Sequence, residues 1–252
     1  LSGDTGGWLT PGVPATVTVT VNSNAETLPD GAHIATLSFR NLSNGLGDTA
    51  RDVVLAVGTS EKQVEWTLDT DPGWATEDDW AFGQPTGGGG QYGYPDPTSG
   101  YTGANVYGYN LNGDYPNDLG ESHLTTMAID CSSLYNTHLR FYRWLGVESP
   151  DYDHAFVRVS GDGSSWVTVW ENTEEITDNS WVPMEIDISS VADDQESVYI
   201  RWTMGVTDGG WQYCGWNIDD IELWAIRAED SDVCLLYTSD AADEEDSVDL
   251  GG

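Results

Sequence analysis

Residues 214–226 read CGWNIDDIELWAI. From Trp216 onward apolar and polar side chains alternate with a period of two, the spacing of a β-strand with one buried face. The alternation sends Ile218, Asp220 and Glu222 to one face and Asp219, Ile221 and Leu223 to the other. Asp219 is therefore expected on the apolar side, where an unpaired carboxylate is costly. Either a metal ion or a hydrogen-bond network must meet it.

Working back along the chain, the same period recurs in VEWTL (64–68), HLTTMAI (123–129), HLRFYRWLGV (138–147), HAFVRVS (154–160), WVTVW (166–170), WVPMEIDI (181–188) and SVYIRWTM (197–204). With the closing strand these make about eight, the number that a two-sheet jelly roll needs. Of the 12 tryptophans, all but Trp8 fall between residues 64 and 226, so this stretch carries its own aromatic core. SGDGSSW (160–166) puts Asp162 and Gly163 in a tight turn between two strands and predicts a hairpin. Upstream, PATVTVTVN (14–22), AHIATLSFRNL (32–42) and ARDVVLAVG (50–58) are three further strand-like runs, separated by turn signals at LPDG (28–31) and NGLGDT (44–49). The polar segment 59–63 reads as a linker between the two regions.

The expected fold class is all-β: a truncated immunoglobulin-like sandwich over 1–58, then a two-sheet antiparallel β jelly roll over 64–227. The first region resembles the C-terminal half of a bacterial immunoglobulin-like domain of the BACON type, through its PG turn, TVTV strand and LPDG turn. WTLDTDPGW, RFYRWLGVE, VSGDGSSWVTVW, VYIRW and CGWNIDDIEL together resemble the MAM-like jelly rolls of secreted bacterial metallopeptidases of the immune-inhibitor type. They also resemble carbohydrate-binding modules of the galactose-binding-like fold. Such jelly rolls share a structural calcium between first and last strands. The resemblance thus implies a calcium cofactor held by Asp69 and Asp71 on one side and Asp219 and Asp220 on the other.

Eight basic against 43 acidic residues give a formal charge of -35, which repels phosphate backbones and anionic headgroups. Nucleic acid is excluded as a partner, and no apolar run is long enough to insert into a membrane. Cation binding or a saline habitat would relieve the self-repulsion. No signal peptide stands at Leu1, so the chain is expected to be covalently part of a longer secreted protein. Residues 228–252 are expected to be a disordered tail. Within it LLYTSDAADE (235–244) and SVDLGG (247–252) resemble an in-frame translated sequencing adapter. Setting 234–252 aside removes Cys234 and leaves Cys131 and Cys214, an extracellular pair that is either one disulfide or two buried thiols.

Candidate ligand-binding residues fall in three places. The Gly- and Tyr-rich segment 86–118 offers Tyr92, Tyr94 and Tyr101, which either stack on sugar rings or pack down as a lid over the sheet. WQY (211–213) adds Trp211 and Tyr213. ESPDYDHAF (148–156) supplies Asp153 and His154, with Arg143 on the preceding strand. Its carboxylates include Glu148, yet they share one loop with nothing fixed to oppose them, so a solvated turn outweighs acid–base catalysis. No serine-hydrolase order, HExxH helix or phosphate-cradling loop occurs. The function expected is a non-catalytic extracellular module holding a polysaccharide or cell-surface glycan or protein. The competing reading is a structural spacer.

Overall fold

A computed structural model describes residues 2–3, 16–44 and 46–228. The expectations for 229–252, including the adapter-like segment and Cys234, lie outside the described residues. In chain order the strands are β1 (Ser2–Gly3), β2 (Val19–Thr20), β3 (Gly31–Phe39), β4 (Thr49–Val57), β5 (Glu61–Trp66), β6 (Ala75–Thr76), β7 (Trp80–Gly83) and β8 (Val106–Tyr109). They continue as β9 (Ser122–Thr125), β10 (Leu134–Val147), β11 (Ala155–Ser160), β12 (Val167–Glu171), β13 (Ile176–Thr177), β14 (Val182–Asp187), β15 (Tyr199–Met204) and β16 (Gly215–Arg227). Among the described residues a 3₁₀ turn, Ser23–Thr27, precedes β3, and one short α-helix, α1 (Ser189–Ala192), precedes β15. The protein is all-β and antiparallel, as its period-two patterning predicts.

β10 and β16, the two longest strands, form the centre of the larger sheet. β13 and β14 flank β10 on one edge, while β5 and β8 follow one another along the free edge of β16, with β7 outside β8. The smaller sheet runs β12-β11-β15-β9-β6. The pairing of the first and last strands of this region, on which the jelly-roll reading depends, is present: Ile221 stands opposite Trp66 and Leu223 opposite Val64. The two sheets close over Trp202 and Trp216, both fully buried. Phe141 meets the Trp202 ring edge-on at 5.6 Å, and Trp74 stacks between Trp202 and Tyr107 at 5.7 and 5.2 Å. Large flat rings fill the space between layers, and each such pair adds about 0.5–1.5 kcal/mol beyond its burial.

β5 begins at Glu61, so most of the segment read as a linker is already paired with β16. Its sequence looks polar because it lies on an edge. Upstream, β3 and β4 form an uninterrupted hairpin from Gly31↔Val57 to Phe39↔Thr49, and β1 pairs with β2. Ile34 and Val54, opposite one another, remain 50% and 49% exposed. Among the described residues, no second layer covers this hairpin as a complete sandwich would.

Of the two states read for Cys131 and Cys214, the disulfide is not formed, and both thiols are free and buried. Cys131 sits three residues before β10, and Cys214 packs against Gly146 at the strand's far end. The 14 residues of β10 span roughly 45 Å at about 3.3 Å each, whereas a disulfide needs Cα atoms within about 7 Å. Burial pushes the Cys131 thiol up to about 12 and raises Cys214 as well, so neither is a ready nucleophile.

Candidate functional site

The outer face of the larger sheet is roofed by the segment between β7 and β9. Its glycines let the backbone pack closely on itself and against β16. A side-chain carbon at Gly88 would lie 2.1 Å from Asn112 O, and one at Gly108 would lie 2.6 Å from Asn217 Oδ1. The Tyr101 ring stacks on Tyr142 of β10, and Trp144 Nε1 donates to Pro95 O at 3.1 Å. Tyr107 and Tyr109 are buried. Tyr107 and Tyr109 belong to the aromatic core, and Tyr101 forms the edge of the lid while remaining 46% exposed.

Under the lid lies Asp219, fully buried as expected, but on the opposite face from the one its alternation predicts. Between Arg140↔Glu222 and Tyr142↔Asp219, β16 holds one more residue than β10. Asp220 takes up this bulge with φ 46°. The core residues accordingly run Trp216, Ile218, then Ile221, Leu223 and Ala225, and Asp219 is released towards the lid. Its Oδ2 accepts from Thr102 N–H at 3.1 Å, and its Oδ1 from Asp220 N–H at 2.8 Å. Burial raises its carboxyl to about 7.

The four acids expected to share calcium do not form one cluster. Asp71 Oδ1 is engaged by Tyr107 OH at 2.6 Å and Gly73 N–H at 2.8 Å, and Asp220 Oδ1 by the Thr102 hydroxyl at 2.8 Å. Asp69 and Asp219 do approach the same turn. A side-chain carbon at Gly103 would stand 2.5 Å from Asp69 Oδ1, and one at Gly100 would meet Thr102 O, Asp219 Oδ2 and Asn105 O at 2.3, 2.6 and 2.7 Å. Three oxygens thus converge beside Gly100, a donor set of the kind that hard cations take. Nearby, Asp96 Oδ1 accepts from Asn217 Nδ2 at 2.7 Å while its Oδ2 has no partner. Burial pushes this carboxyl up to about 8, with Asp114 repelling the charged form and Asn217 opposing the shift.

At one end of the sandwich the loop between β15 and β16 meets the lid. Trp211, 51% exposed, lies face to face with Tyr92 at 4.9 Å and 10°. Tyr92 leans on Tyr213 at 6.0 Å, and Tyr94 is 47% exposed. Tyr213 is buried, with its hydroxyl donating to Glu175 at 2.8 Å, so it supports this rim and offers no face of its own. Arg143 is likewise spent: its guanidinium pairs with Asp178 at 2.9 and 3.1 Å and lies towards Trp170. His154 lies parallel to Phe156 at 5.6 Å, and Asp153 is fully buried. Of the predicted ligand-binding residues, only Tyr92, Tyr94, Tyr101 and Trp211 present aromatic surface. A depression of about 460 Å³ lies elsewhere, lined by Asp30, Gly58, Glu61, Gln63 and Arg227 among others.

Sequence reasoning did not single out Asp208. It sits in TDGG (207–210), which reads as an ordinary turn, yet its backbone N–H donates to Asp153 Oδ1 at 2.9 Å. Among the described residues, Glu148, Asp153 and Asp208 form the one group of three potential metal-ligating side chains with oxygens mutually within 4.8 Å.

No family model matches this sequence. Bacillopeptidase F of Bacillus subtilis (strain 168) is 28% identical over 156 residues, 60% of this chain and 10% of that protein. The chain thus matches about a tenth of that relative's length. Among solved structures, the CBM22-1 xylan-binding domain of Xyn10C from Paenibacillus barcinonensis is 11% identical with a TM-score of 0.43, covering 69% of this chain and 99% of that one. The K3 cleaved adhesin domain of Lys-gingipain from Porphyromonas gingivalis is 13% identical with a TM-score of 0.37, covering 65% and 99%. At such scores no ligand carries over from those proteins to this one.

Proposed function

We propose that the chain is a non-catalytic module of a larger secreted hydrolase, acting outside the cell by holding a polysaccharide or cell-surface glycan. The observation that carries this reading is the aromatic rim: Trp211 half exposed, backed by Tyr92, with Tyr94 open to solvent in the same segment. Flat aromatic faces suit the apolar faces of pyranose rings. A ring already stacked on a neighbour gives up little freedom on binding. The partial similarity to bacillopeptidase F favours a peptidase as the parent. Against a catalytic role, Asp153 is fully buried and engaged by Tyr115 and by the Asp208 backbone. Glycoside hydrolysis instead needs two carboxylates facing an open cleft.

A calcium ion beside Asp69 and Asp219 would hold the lid to β16, with Thr102 O and Asn105 O completing the oxygen set. The hairpin upstream would belong to an immunoglobulin-like spacer, whose missing layer would cover Ile34 and Val54. The test is sedimentation of the chain with insoluble polysaccharides, together with affinity electrophoresis against soluble ones. Binding that is lost in Trp211→Ala but kept in Tyr152→Ala supports the rim. Absence of binding across the panel, together with altered secretion of the parent when the module is deleted, would favour the spacer.

A further inference from the structure

Glu148, Asp153 and Asp208 are gathered from two separate loops. Glu148 follows β10 and Asp153 precedes β11, while Asp208 lies between β15 and β16. Asn172 pins the first two by donating from Nδ2 to Glu148 O at 3.2 Å and Asp153 O at 3.0 Å, and accepting from Ala155 N–H at 2.8 Å. Tyr115 OH donates to Asp153 Oδ2. Buried hydrogen bonds from Asn172 and Tyr115 fix the loop that carries Glu148 and Asp153.

Its charge is not balanced by the protein. The charged groups acting on Glu148 are Asp153, Asp208 and Glu175, all acidic. Asp208 acts on Asp153 in the same sense, opposed by His154. Burial is the first cause, and repulsion a further one, of the raised carboxyls of Glu148 and Asp153. Most telling is Glu148 itself: the residue is only 9% exposed, and its Oε2 is shielded from solvent with no hydrogen-bond partner. A shielded carboxylate oxygen that lacks a donor is expensive.

We propose that Glu148, Asp153 and Asp208 hold a divalent cation of the hard, oxygen-seeking kind, calcium in preference to magnesium. Calcium accepts six to eight oxygens in flexible geometry, and three carboxylates plus water at the exposed Asp208 meet that demand. Magnesium requires a stricter octahedron and gives up water reluctantly. The ion would tie the β10–β11 loop to the loop carrying Trp211, three residues beyond Asp208. This site is separate from the oxygens beside Gly100.

The experiment is a Tb³⁺ titration of the whole chain, with emission excited through the aromatic side chains and calcium as competitor. Tyr115, bonded to Asp153, is placed to sensitise the ion. Saturable emission displaced by calcium is expected in the wild type and in Glu196→Gln, an exposed acid that belongs to neither oxygen set, and weakened about tenfold or more in Glu148→Gln and in Asp208→Asn. Asp208 is exposed, so its variant keeps the test independent of folding. In melting curves, calcium should raise the wild-type midpoint by more than that of Glu148→Gln. In chelator the order should reverse, with the variant the more stable because one repelling charge is gone. Equal Tb³⁺ affinity in the wild type, Glu148→Gln and Asp208→Asn, or an equal loss in Glu196→Gln, would overturn the proposal. Glycan binding that persists without cation binding would remove the cation site and leave the aromatic rim standing.

Discussion

Two regions of the sandwich bury carboxylates, and they differ in who answers them. Under the lid, the acids meet backbone N–H donors: Thr102 and Asp220 for Asp219, Gly90 and Gln91 for Asp114. At the sandwich end, Tyr115 OH and Asp208 N–H reach Asp153, while Glu148 Oε2 receives nothing. A glycine-rich segment can turn its amides towards a charge because no Cβ stands in the way, as the positive φ of Gly90 illustrates. Loops leaving regular strands have their amides spoken for. The first region therefore answers Asp219 and Asp114 with its own donors while Asp96 Oδ2 stays unpartnered, and at the second Glu148 Oε2 is left for a cation.

The largest effect that would sharpen this contrast is one of pH. Asp96, with its unpartnered oxygen and a folded carboxyl at about 8, binds a proton in the folded state that it releases at about 4 when unfolded. The stability it contributes is complete below about pH 4 and is lost as pH rises through about 8, on the order of a few kcal/mol. Urea unfolding in chelator at several pH values should show this decline, and Asp96→Asn should flatten it. An equal slope in both proteins would mean that the lid satisfies Asp96 some other way.

Next in size, Asp153→Ala should cost about 3 kcal/mol, because it strands the Tyr115 hydroxyl and the Asp208 N–H inside the protein. Denaturant midpoints would measure it, and a loss below about 1 kcal/mol would break the picture of a built site. Gly100→Ala should cost about 2 kcal/mol by forcing the lid away from Thr102 O, Asn105 O and Asp219. The smallest change in stability is expected from Trp211→Ala, within about 0.5–1 kcal/mol, because half of the ring already faces water. Its effect belongs in binding, and a fall in midpoint without loss of glycan retention would reassign Trp211 to structure.

Much of the sandwich was legible because period-two alternation is local. The hairpin at Asp162 is present, with Val159 opposite Val167 and Asp162 Oδ1 accepting from Ser164 and Ser165 N–H, both at 2.7 Å. The pairing of β16 with β5 followed from the resemblance carried by CGWNIDDIEL. The bulge at Asp220 escaped, since one extra residue in a strand changes no residue's type while reversing which face every later side chain occupies. Tyr213 and Trp211 illustrate the same limit. They are two residues apart and both aromatic, yet one hydroxyl is buried on Glu175 and the other ring is half open.

The sequence by itself determined that the chain is all-β and acidic and that its core is aromatic, because composition and strand period act over a few residues. Only the tertiary structure decided which oxygens face one another: it separated Cys131 from Cys214 by the length of β10, spent Arg143 on Asp178, and brought Asp208 to Glu148 and Asp153. The physical reason is that burial and charge depend on which loops meet across the sandwich, and loops distant along the chain leave no periodic trace of their meeting.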